Sequence, residues 1–121
     1  MMFEIRVTGD IASSHQLPGY DGPCKNLHGH TWKVEVTVLG DLLDPMGFIV
    51  DFKVLKKYLK DVLDPLDHQH LNDLSAFEGI QPTTENLAKH IYRAFKKTCR
   101  PMVLKQVQVW ESATASVVYY E

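Results

Sequence analysis

The segment His28-Gly29-His30 is the part of this chain whose residue types and spacing point most directly to chemistry. Side chains at positions i and i+2 of a strand project to the same face, so the two imidazoles would lie side by side. His15 precedes them by thirteen residues and can supply a third nitrogen if the two strands are neighbours. Three imidazoles suit Zn²⁺ and leave its fourth tetrahedral position open, as in catalytic sites. The alternative is that backbone groups hold the pair and His15 is unrelated.

Cys24 lies four residues before His28 and next to Lys25, in a loop rich in polar residues and glycine. A thiol near a metal ion and a lysine is available as a thiolate at neutral pH, where it can act as a base or as a nucleophile. The same sulfur could instead be a fourth zinc ligand, which would close the site. In that second case the chain would be a zinc-stabilised binding module without catalysis.

Asp67 and His68 form an acid-histidine pair directly after the Asp64-Pro65 helix stop. A carboxylate beside a histidine can fix its tautomer and support its protonated form, which suits a proton shuttle near pH 7. An ordinary surface turn is the alternative. The remaining histidines, His70 and His90, lack such a neighbour and are predicted to face solvent or to cap an element.

Glu111 lies at the end of a predicted strand whose inner row contains Val103, Val107 and Val109. The parity of this row turns the carboxylate inward. A carboxylate can accept two parallel N–H donors, such as those on the edge of a pterin or guanine ring. A salt bridge with one of the lysines of the chain is the alternative.

The elements that must position these residues follow from the hydrophobic periodicity. Alternation predicts strands over about 3–8, 30–39, 102–111 and 113–120, and helical spacing predicts helices over about 52–63 and 84–99. The apolar positions predicted to face inward are Trp32, Val34, Val36 and Val38 in the second strand, where His28 and His30 share the row, Phe52, Leu55, Leu59 and Leu63 in the first helix, and Leu87, Ile91 and Phe95 in the second. Asp51 is predicted to cap the first helix and Thr83 or Thr84 the second, which Arg100-Pro101 would end. The order β-β-α-α-β-β predicts an α+β fold, with two helices on one face of a four-stranded, mainly antiparallel sheet.

The composition narrows the functional class. The chain has 121 residues, which predicts one domain over residues 1–121, and a formal net charge of −2. No basic stripe suggests a nucleic-acid partner, and no apolar run approaches the roughly 20 residues that span a bilayer. The beginning of the sequence does not resemble a signal peptide. We therefore expect a cytoplasmic protein, in which Cys24 and Cys99 would be reduced thiols.

Six segments of the chain, taken together and in order, resemble the family of 6-pyruvoyltetrahydropterin synthases and 6-carboxytetrahydropterin synthases, which has the tunnelling fold. The segments are S-S-H-Q-L-P, C-K-N-L-H-G-H, G-F-I-V-D-F, L-D-H-Q-H-L-N-D, P-T-T-E-N and W-E-S. The resemblance covers nearly the whole chain. The Cys-x3-His-Gly-His spacing is similar to that of the bacterial and archaeal 6-carboxytetrahydropterin synthases, whereas the animal pyruvoyl enzymes have a longer gap.

The resemblance implies roles for the residues described above. His15, His28 and His30 would hold zinc. Cys24 would be the base that abstracts a proton. Asp67 and His68 would be its partners in a proton relay.

The same resemblance implies a pterin substrate. Glu111 would anchor the amino-pyrimidine edge of the ring, helped by Thr83 and Thr84. The implied substrate is 7,8-dihydroneopterin triphosphate, and the implied products are 6-carboxytetrahydropterin, acetaldehyde and triphosphate, on the route to queuosine and related deazapurines. A 6-pyruvoyltetrahydropterin synthase, which stops before carbon–carbon cleavage, is the alternative within the family. Members of the family assemble as trimers whose sheets close into a barrel, and as pairs of trimers, with active sites between subunits.

Overall fold

The computed structural model describes residues 2–99 and 102–121 of the chain. Its main elements are β1 (Phe3–His15), β2 (His28–Gly40), α1 (Phe52–Leu63), α2 (Thr84–Thr98), β3 (Val103–Ser112) and β4 (Ala115–Tyr119). The strands form one antiparallel sheet in the order β1-β2-β3-β4, and both helices pack on it. The predicted fold class is confirmed. Within the described ranges, no helix is both long and apolar enough to cross a membrane.

The core lies between the inner face of the sheet and the two helices. The inner row of β2 is fully buried and has the predicted parity; its members are Trp32, Val34, Val36 and Val38. α2 contributes the predicted stripe of Leu87, Ile91 and Phe95, which is also fully buried. Burial of about 25 cal/mol per Å² of apolar surface makes this contact the main stabilising interaction of the fold.

The helices begin where the sequence predicts. Asp51 accepts a hydrogen bond from the Lys53 backbone N–H and caps α1. Phe52 was predicted to join the inner stripe of α1, but its side chain is 59% exposed. It is the first residue of the helix and lies at the margin of the core, where the helix has only begun. The predicted end of the second helix at Arg100-Pro101 lies outside the described residues. In the described part of the chain, α2 extends to Thr98.

β1 is longer than the sequence pattern predicts. It extends to His15 because it pairs with β2 along its whole length, from Phe3 opposite Gly40 to His15 opposite His28. His15 is therefore part of the strand and not beyond it. Gly9 interrupts the apolar alternation of β1 where α1 packs closely against the strand. A Cβ atom at this position would lie 2.9 Å from Leu63 Cδ1 of α1.

The inner row of β3 changes parity at a bulge. Val103, predicted to face inward, is 59% exposed, whereas Leu104 is 8% exposed. The register with β2 shifts between Thr37 and Val38, so that Lys105 has no partner in the pairing. An extra residue on one strand turns the residues before it to the other face. The predicted parity holds after the bulge.

This bulge predicts different effects for two neighbouring truncations. Leu104→Ala should lower the free energy of unfolding by about 2 kcal/mol, because it removes buried methyl groups from the core. Val103→Ala, the matched control on the exposed face, should change it by less than about 0.5 kcal/mol. Urea denaturation with an unchanged m-value measures both. Equal losses, or the reverse order, would show that the bulge is wrongly placed.

Candidate metal and pterin site

The pairing of β1 with β2 brings the three histidines named from the sequence to one place. His15 lies opposite His28, and Ser13, two residues before His15, lies opposite His30. All three side chains share the inner face at the end of the two strands. One ligand nitrogen from each ring lies within 4.8 Å of the others. The chain thus has a three-histidine cluster that can hold a metal ion.

Backbone carbonyls fix the tautomers of two of these rings. The Nδ1–H of His15 donates to the Pro82 carbonyl at 2.8 Å, and the Nδ1–H of His28 donates to the Asn26 carbonyl at 2.7 Å. A neutral imidazole has only one N–H, so both Nε2 atoms carry lone pairs. These two Nε2 atoms face each other at 2.9 Å. Two lone pairs do not form a hydrogen bond, so a shared cation is what this geometry fits.

The third ring supplies a buried nitrogen without a partner. His30 Nε2 has no hydrogen bond in the described part of the chain, and the Oε1 atom of Glu111 lies 3.6 Å away from it. A buried polar atom without a partner costs about 1–3 kcal/mol. Coordination of a metal ion would satisfy it. The residues present therefore fit a metal ligand set.

The environment of His15 keeps its ring neutral. Its side chain is 1% exposed, and burial lowers its pKa below the ordinary 6.5. The nearby His28 and His30 lower the pKa further, against the opposing effects of the Pro82 carbonyl and Glu111. A metal ion binds only the neutral imidazole, so this environment favours metal binding over protonation.

Glu111 lies beside this cluster and is held by a threonine. Its Oε2 atom accepts a hydrogen bond of 2.6 Å from the Thr84 hydroxyl. The Thr84 hydroxyl in turn accepts one of 3.3 Å from the Trp32 indole N–H. Among the described residues no lysine pairs with Glu111, so the alternative of a lysine salt bridge has no support. A cavity of about 170 Å³ adjoins the carboxylate, between the start of α2 and Val117 of β4.

The two threonines have different roles in the structure. Thr83 is the N-cap of α2, and its hydroxyl accepts a hydrogen bond of 3.1 Å from the Asn86 backbone N–H. Thr84 is the first residue of the helix, and its hydroxyl is the one that contacts Glu111. A direct contact with Glu111 is therefore made by Thr84 and not by Thr83.

Cys24 lies in a short 3₁₀ turn, Pro23–Lys25, in the loop between β1 and β2. The thiol is half-buried and free, and the Cys24 carbonyl accepts a hydrogen bond from the Leu17 N–H at 2.9 Å. Within residues 2–99 and 102–121, the group of side chains able to share one ion contains the three histidines and not this sulfur. This geometry favours a cluster of three protein ligands over a closed site of four.

Asp67 and His68 are docked on the edge of β1. Asp67 Oδ1 accepts from the Ala12 N–H at 2.8 Å, and the His68 N–H donates to the Ala12 carbonyl at 2.7 Å. These hydrogen bonds hold His68 at a φ of 55°, which is uncommon for a residue other than glycine. The second carboxylate oxygen of Asp67 lies 3.0 Å from His68 Nδ1. The pair thus lies in a turn that these hydrogen bonds hold against the edge of β1.

Hydrogen bonds keep the Asp67 carboxylate ionised, while the histidine is open to solvent. The Ala12 N–H, and then His68, lower the pKa of Asp67 below its usual value. The side chain of His68 is 82% exposed. In the described chain, neither residue hydrogen-bonds to the three-histidine cluster or to Cys24.

Comparison with known proteins identifies the family. The sequence model of the 6-pyruvoyl tetrahydropterin synthase family matches residues 4–121. The chain belongs to this family. It is 40% identical over 127 residues to 6-carboxy-5,6,7,8-tetrahydropterin synthase of Bacillus subtilis, an alignment that covers 97% of this chain and 84% of that protein. It is 38% identical over 102 residues to human 6-pyruvoyl tetrahydrobiopterin synthase, covering 81% of this chain and 70% of that one.

Solved structures agree with this assignment. The fold superimposes on that of Caenorhabditis elegans 6-pyruvoyl tetrahydropterin synthase with a TM-score of 0.90 and 27% identity, covering 100% of this chain and 96% of the other. The tunnelling fold implied by the sequence is thereby confirmed. The chain is thus a member of a family of pterin synthases, and its own structure has a three-histidine cluster beside a glutamate that Thr84 holds.

Two histidines are less exposed than the sequence predicts. His70 is half-buried and its Nδ1 atom lies 3.0 Å from the Ser14 hydroxyl. His90 is half-buried against the Phe77 ring, with centroids 5.8 Å apart. Neither ring faces solvent fully, whereas the alternative expectation of a capping position is confirmed for His70, which is the N-cap residue of the 3₁₀ turn Leu71–Asp73. The partial burial of His90 could have been predicted from the sequence, because this residue follows Leu87 by three positions and so lies near the inner side of α2.

The pKa values predict how the stability of the metal-free protein depends on pH. Burial lowers the pKa of both His15 and His90 below 6.5, so near and below that pH the unfolded chain binds more protons than the folded chain. We therefore expect the free energy of unfolding to fall as pH is lowered from 7.5 to 5.5. His90→Gln should make this dependence shallower. Urea titrations of chelator-treated protein measure it, and stability that is constant or rises toward pH 5.5 would contradict the burial of these rings.

Proposed function

We propose that this chain is a zinc-dependent 6-carboxy-5,6,7,8-tetrahydropterin synthase that acts in the cytoplasm. It would convert 7,8-dihydroneopterin triphosphate into 6-carboxytetrahydropterin, acetaldehyde and triphosphate, in the biosynthesis of queuosine and related deazapurines. One observation carries this proposal. In a member of a pterin synthase family, a three-histidine cluster lies 3.6 Å from a carboxylate held in place by a threonine hydroxyl.

The ligand set favours zinc as the metal. All three ligands are imidazoles, which suit this ion, and the thiol lies outside the group. His15 and His28 would bind through Nε2, because their Nδ1 atoms donate to backbone carbonyls. When bound, the ion supplies Lewis-acid polarisation of hydroxyl groups on the substrate side chain. The carbonyl acceptors keep both rings in the orientation that this binding requires.

Cys24 is the proposed base. Its thiolate would take a proton from the carbon next to the C=N bond of the dihydropterin ring. The half-buried, free thiol in the loop before His28 is consistent with this role. Asp67 and His68 would relay the proton: the ionised Asp67 lies against Nδ1 of His68, which leaves Nε2 to receive or release it.

Glu111 is the proposed anchor for the pterin ring. Its oxygens would accept N–H donors from the 2-amino group and the neighbouring ring nitrogen, as bidentate carboxylate recognition allows. Thr84 fixes the carboxylate by its hydrogen bond, and Thr83 contributes by starting α2 at this place. The cavity of about 170 Å³ at Glu111 is the place where the ring would enter.

The proposed active form is a homo-oligomer, a trimer or a pair of trimers, with sites between subunits. β1 and β4 are the edges of the sheet in the described chain; residues 67–70 cover β1 at Ala12 and Ser14, and the parts of an edge that stay open favour pairing with another copy. The relay pair is docked on the edge of β1, where His68 is exposed. A histidine in that position is suited to act in the site of a neighbouring subunit.

A 6-pyruvoyl tetrahydropterin synthase is the second candidate, and the relationship to the human enzyme favours it. It shares the substrate and the elimination of triphosphate, but not the cleavage of the carbon–carbon bond. The spacing of four residues from Cys24 to His28 favours the carboxy enzyme. So do the alignments with three bacterial 6-carboxy-5,6,7,8-tetrahydropterin synthases, which cover more of those proteins than the alignment with the human enzyme covers of that protein. A binding module with zinc closed by Cys24 is the third, and the position of the thiol outside the cluster disfavours it.

Product analysis tests the proposal. Zinc-loaded protein incubated with 7,8-dihydroneopterin triphosphate should release acetaldehyde and a pterin with the mass of 6-carboxytetrahydropterin. The same incubation after chelation of zinc is the control and should give neither product. A pyruvoyl product without acetaldehyde would replace the first candidate by the second. Absence of any pterin product would contradict both.

Replacement of Cys24 separates the catalytic proposal from the binding module. Cys24→Ala should keep zinc and the melting temperature but lower kcat by at least about 100-fold, the usual contribution of a general base. Cys99→Ala, at the other cysteine of the chain and 1% exposed at the end of α2, is the control that should keep turnover. Zinc content by mass spectrometry and steady-state kinetics measure the two effects. Loss of zinc from Cys24→Ala would instead identify the sulfur as a ligand.

A further inference from the structure

Trp32 is a side chain that the proposed mechanism does not use, although it lies between both halves of the site. It is fully buried in the inner row of β2, two residues after His30. Its ring centroid lies 5.0 Å from that of His15 and 5.0 Å from that of His30. On its other side, the indole N–H donates to the Thr84 hydroxyl at 3.3 Å.

The indole sets the direction of the hydrogen bonds that reach Glu111. An indole N–H only donates, so the Thr84 oxygen must accept from Trp32. The hydroxyl has one proton, and in the 2.6 Å contact it donates this proton in a hydrogen bond to Glu111 Oε2. Because Thr84 is only 6% exposed, water cannot easily replace the indole as donor. The chain Trp32 to Thr84 to Glu111 therefore runs in one direction and ends on an acceptor.

We propose that Trp32 is a positioning residue for pterin recognition, acting through Thr84 to hold the Glu111 carboxylate in the orientation that accepts two adjacent N–H donors. This inference rests on the proposed function. It names the class of ligand edge that the site takes: a 2-amino-4-oxo pyrimidine ring, which presents two donors side by side. A ring with a carbonyl in place of the 2-amino group would place an acceptor against the carboxylate and bind more weakly.

The alternative role for Trp32 is packing against the two histidines. A packing role would act on the metal cluster, so its loss would lower zinc occupancy or kcat. A role through Thr84 would act on the binding of the ring, so its loss would raise KM. The two roles therefore differ in the measured quantity as well as in the residue through which they act.

A double-mutant cycle tests the path through Thr84. We expect Thr84→Val to raise KM for 7,8-dihydroneopterin triphosphate about tenfold, the effect of one hydrogen bond to a charged group. Trp32→Phe should raise KM about threefold, because the indole N–H donates to the neutral Thr84 hydroxyl. Because both changes break the same chain, the double variant should be no worse than Thr84→Val alone. Thr84→Ser keeps the hydroxyl and should restore KM to near the wild-type value. Zinc content and kcat should stay close to those of wild type throughout.

Discrimination between ligands gives a readout that packing alone would not move. Fluorescence titration compares pterin with lumazine, which has a carbonyl in place of the 2-amino group. Wild-type protein should prefer pterin, and Trp32→Phe should reduce this preference. Glu111→Ala should abolish it and so sets the scale of the effect. Trp110→Phe is the matched control, because Trp110 lies outside this chain of hydrogen bonds with its ring under Lys33 Nζ at 4.7 Å.

Four outcomes would overturn the inference: an unchanged KM in Trp32→Phe, effects of Trp32→Phe and Thr84→Val that add, failure of Thr84→Ser to restore KM, or a loss of zinc and kcat at constant KM. If Trp32→Phe does not fold, benzothienylalanine at position 32 in a Trp110→Phe background removes only the N–H and replaces it in the cycle. If wild-type protein binds no pterin, the proposed function itself fails. If wild type binds pterin and the variants bind equally well, only this inference fails.

Discussion

The register between β1 and β2 is the constraint on which the candidate site depends. It places His15 opposite His28 and brings the inner faces of the two strands together at one end. A slip by one residue would turn His15 to the outer face and separate the three rings. Burial of Val7 and Ile11 in the same inner row of β1 opposes such a slip. The hydrophobic core thus specifies the metal cluster as well as the fold.

The first turn of α2 connects this cluster to the glutamate. The Pro82 carbonyl accepts from His15, Thr83 caps the helix, and the Thr84 hydroxyl donates to Glu111. Three consecutive residues therefore orient a histidine, a helix and a carboxylate. A helix start is a rigid place from which to orient side chains, because its backbone is fixed by the helix that follows. We infer that a shift of this turn would disturb both halves of the site together.

The sequence predicts those parts of the fold that depend on periodicity within one element. The alternation in the sequence predicts which side chains of β2 face inward, including His30 in the same row as Trp32. The sequence also predicts the start of α1 after Asp51. It does not predict the extent of β1, because Gly9 breaks the alternation to make room for Leu63 of α1. It does not predict the parity change at Leu104 either, since a bulge is a property of two paired strands. Periodicity within one element also cannot predict contacts between distant residues, such as Trp32 with Thr84, because these depend on how two elements pack together.

Environment distinguishes two of the proposed metal ligands, His15 and His28, from the proposed proton carrier, His68. His15 and His28 present Nδ1 to a backbone carbonyl and direct Nε2 to a shared point; burial of His15 lowers its pKa and favours the neutral form that a metal requires. His68 presents Nδ1 to a carboxylate and lies open to solvent. The exposed ring beside a carboxylate is in a position that suits a group that exchanges protons with its surroundings. His15 and His28 thus differ from His68 in what accepts the proton of Nδ1, because the first two lie in paired strands and His68 lies in a turn beside Asp67.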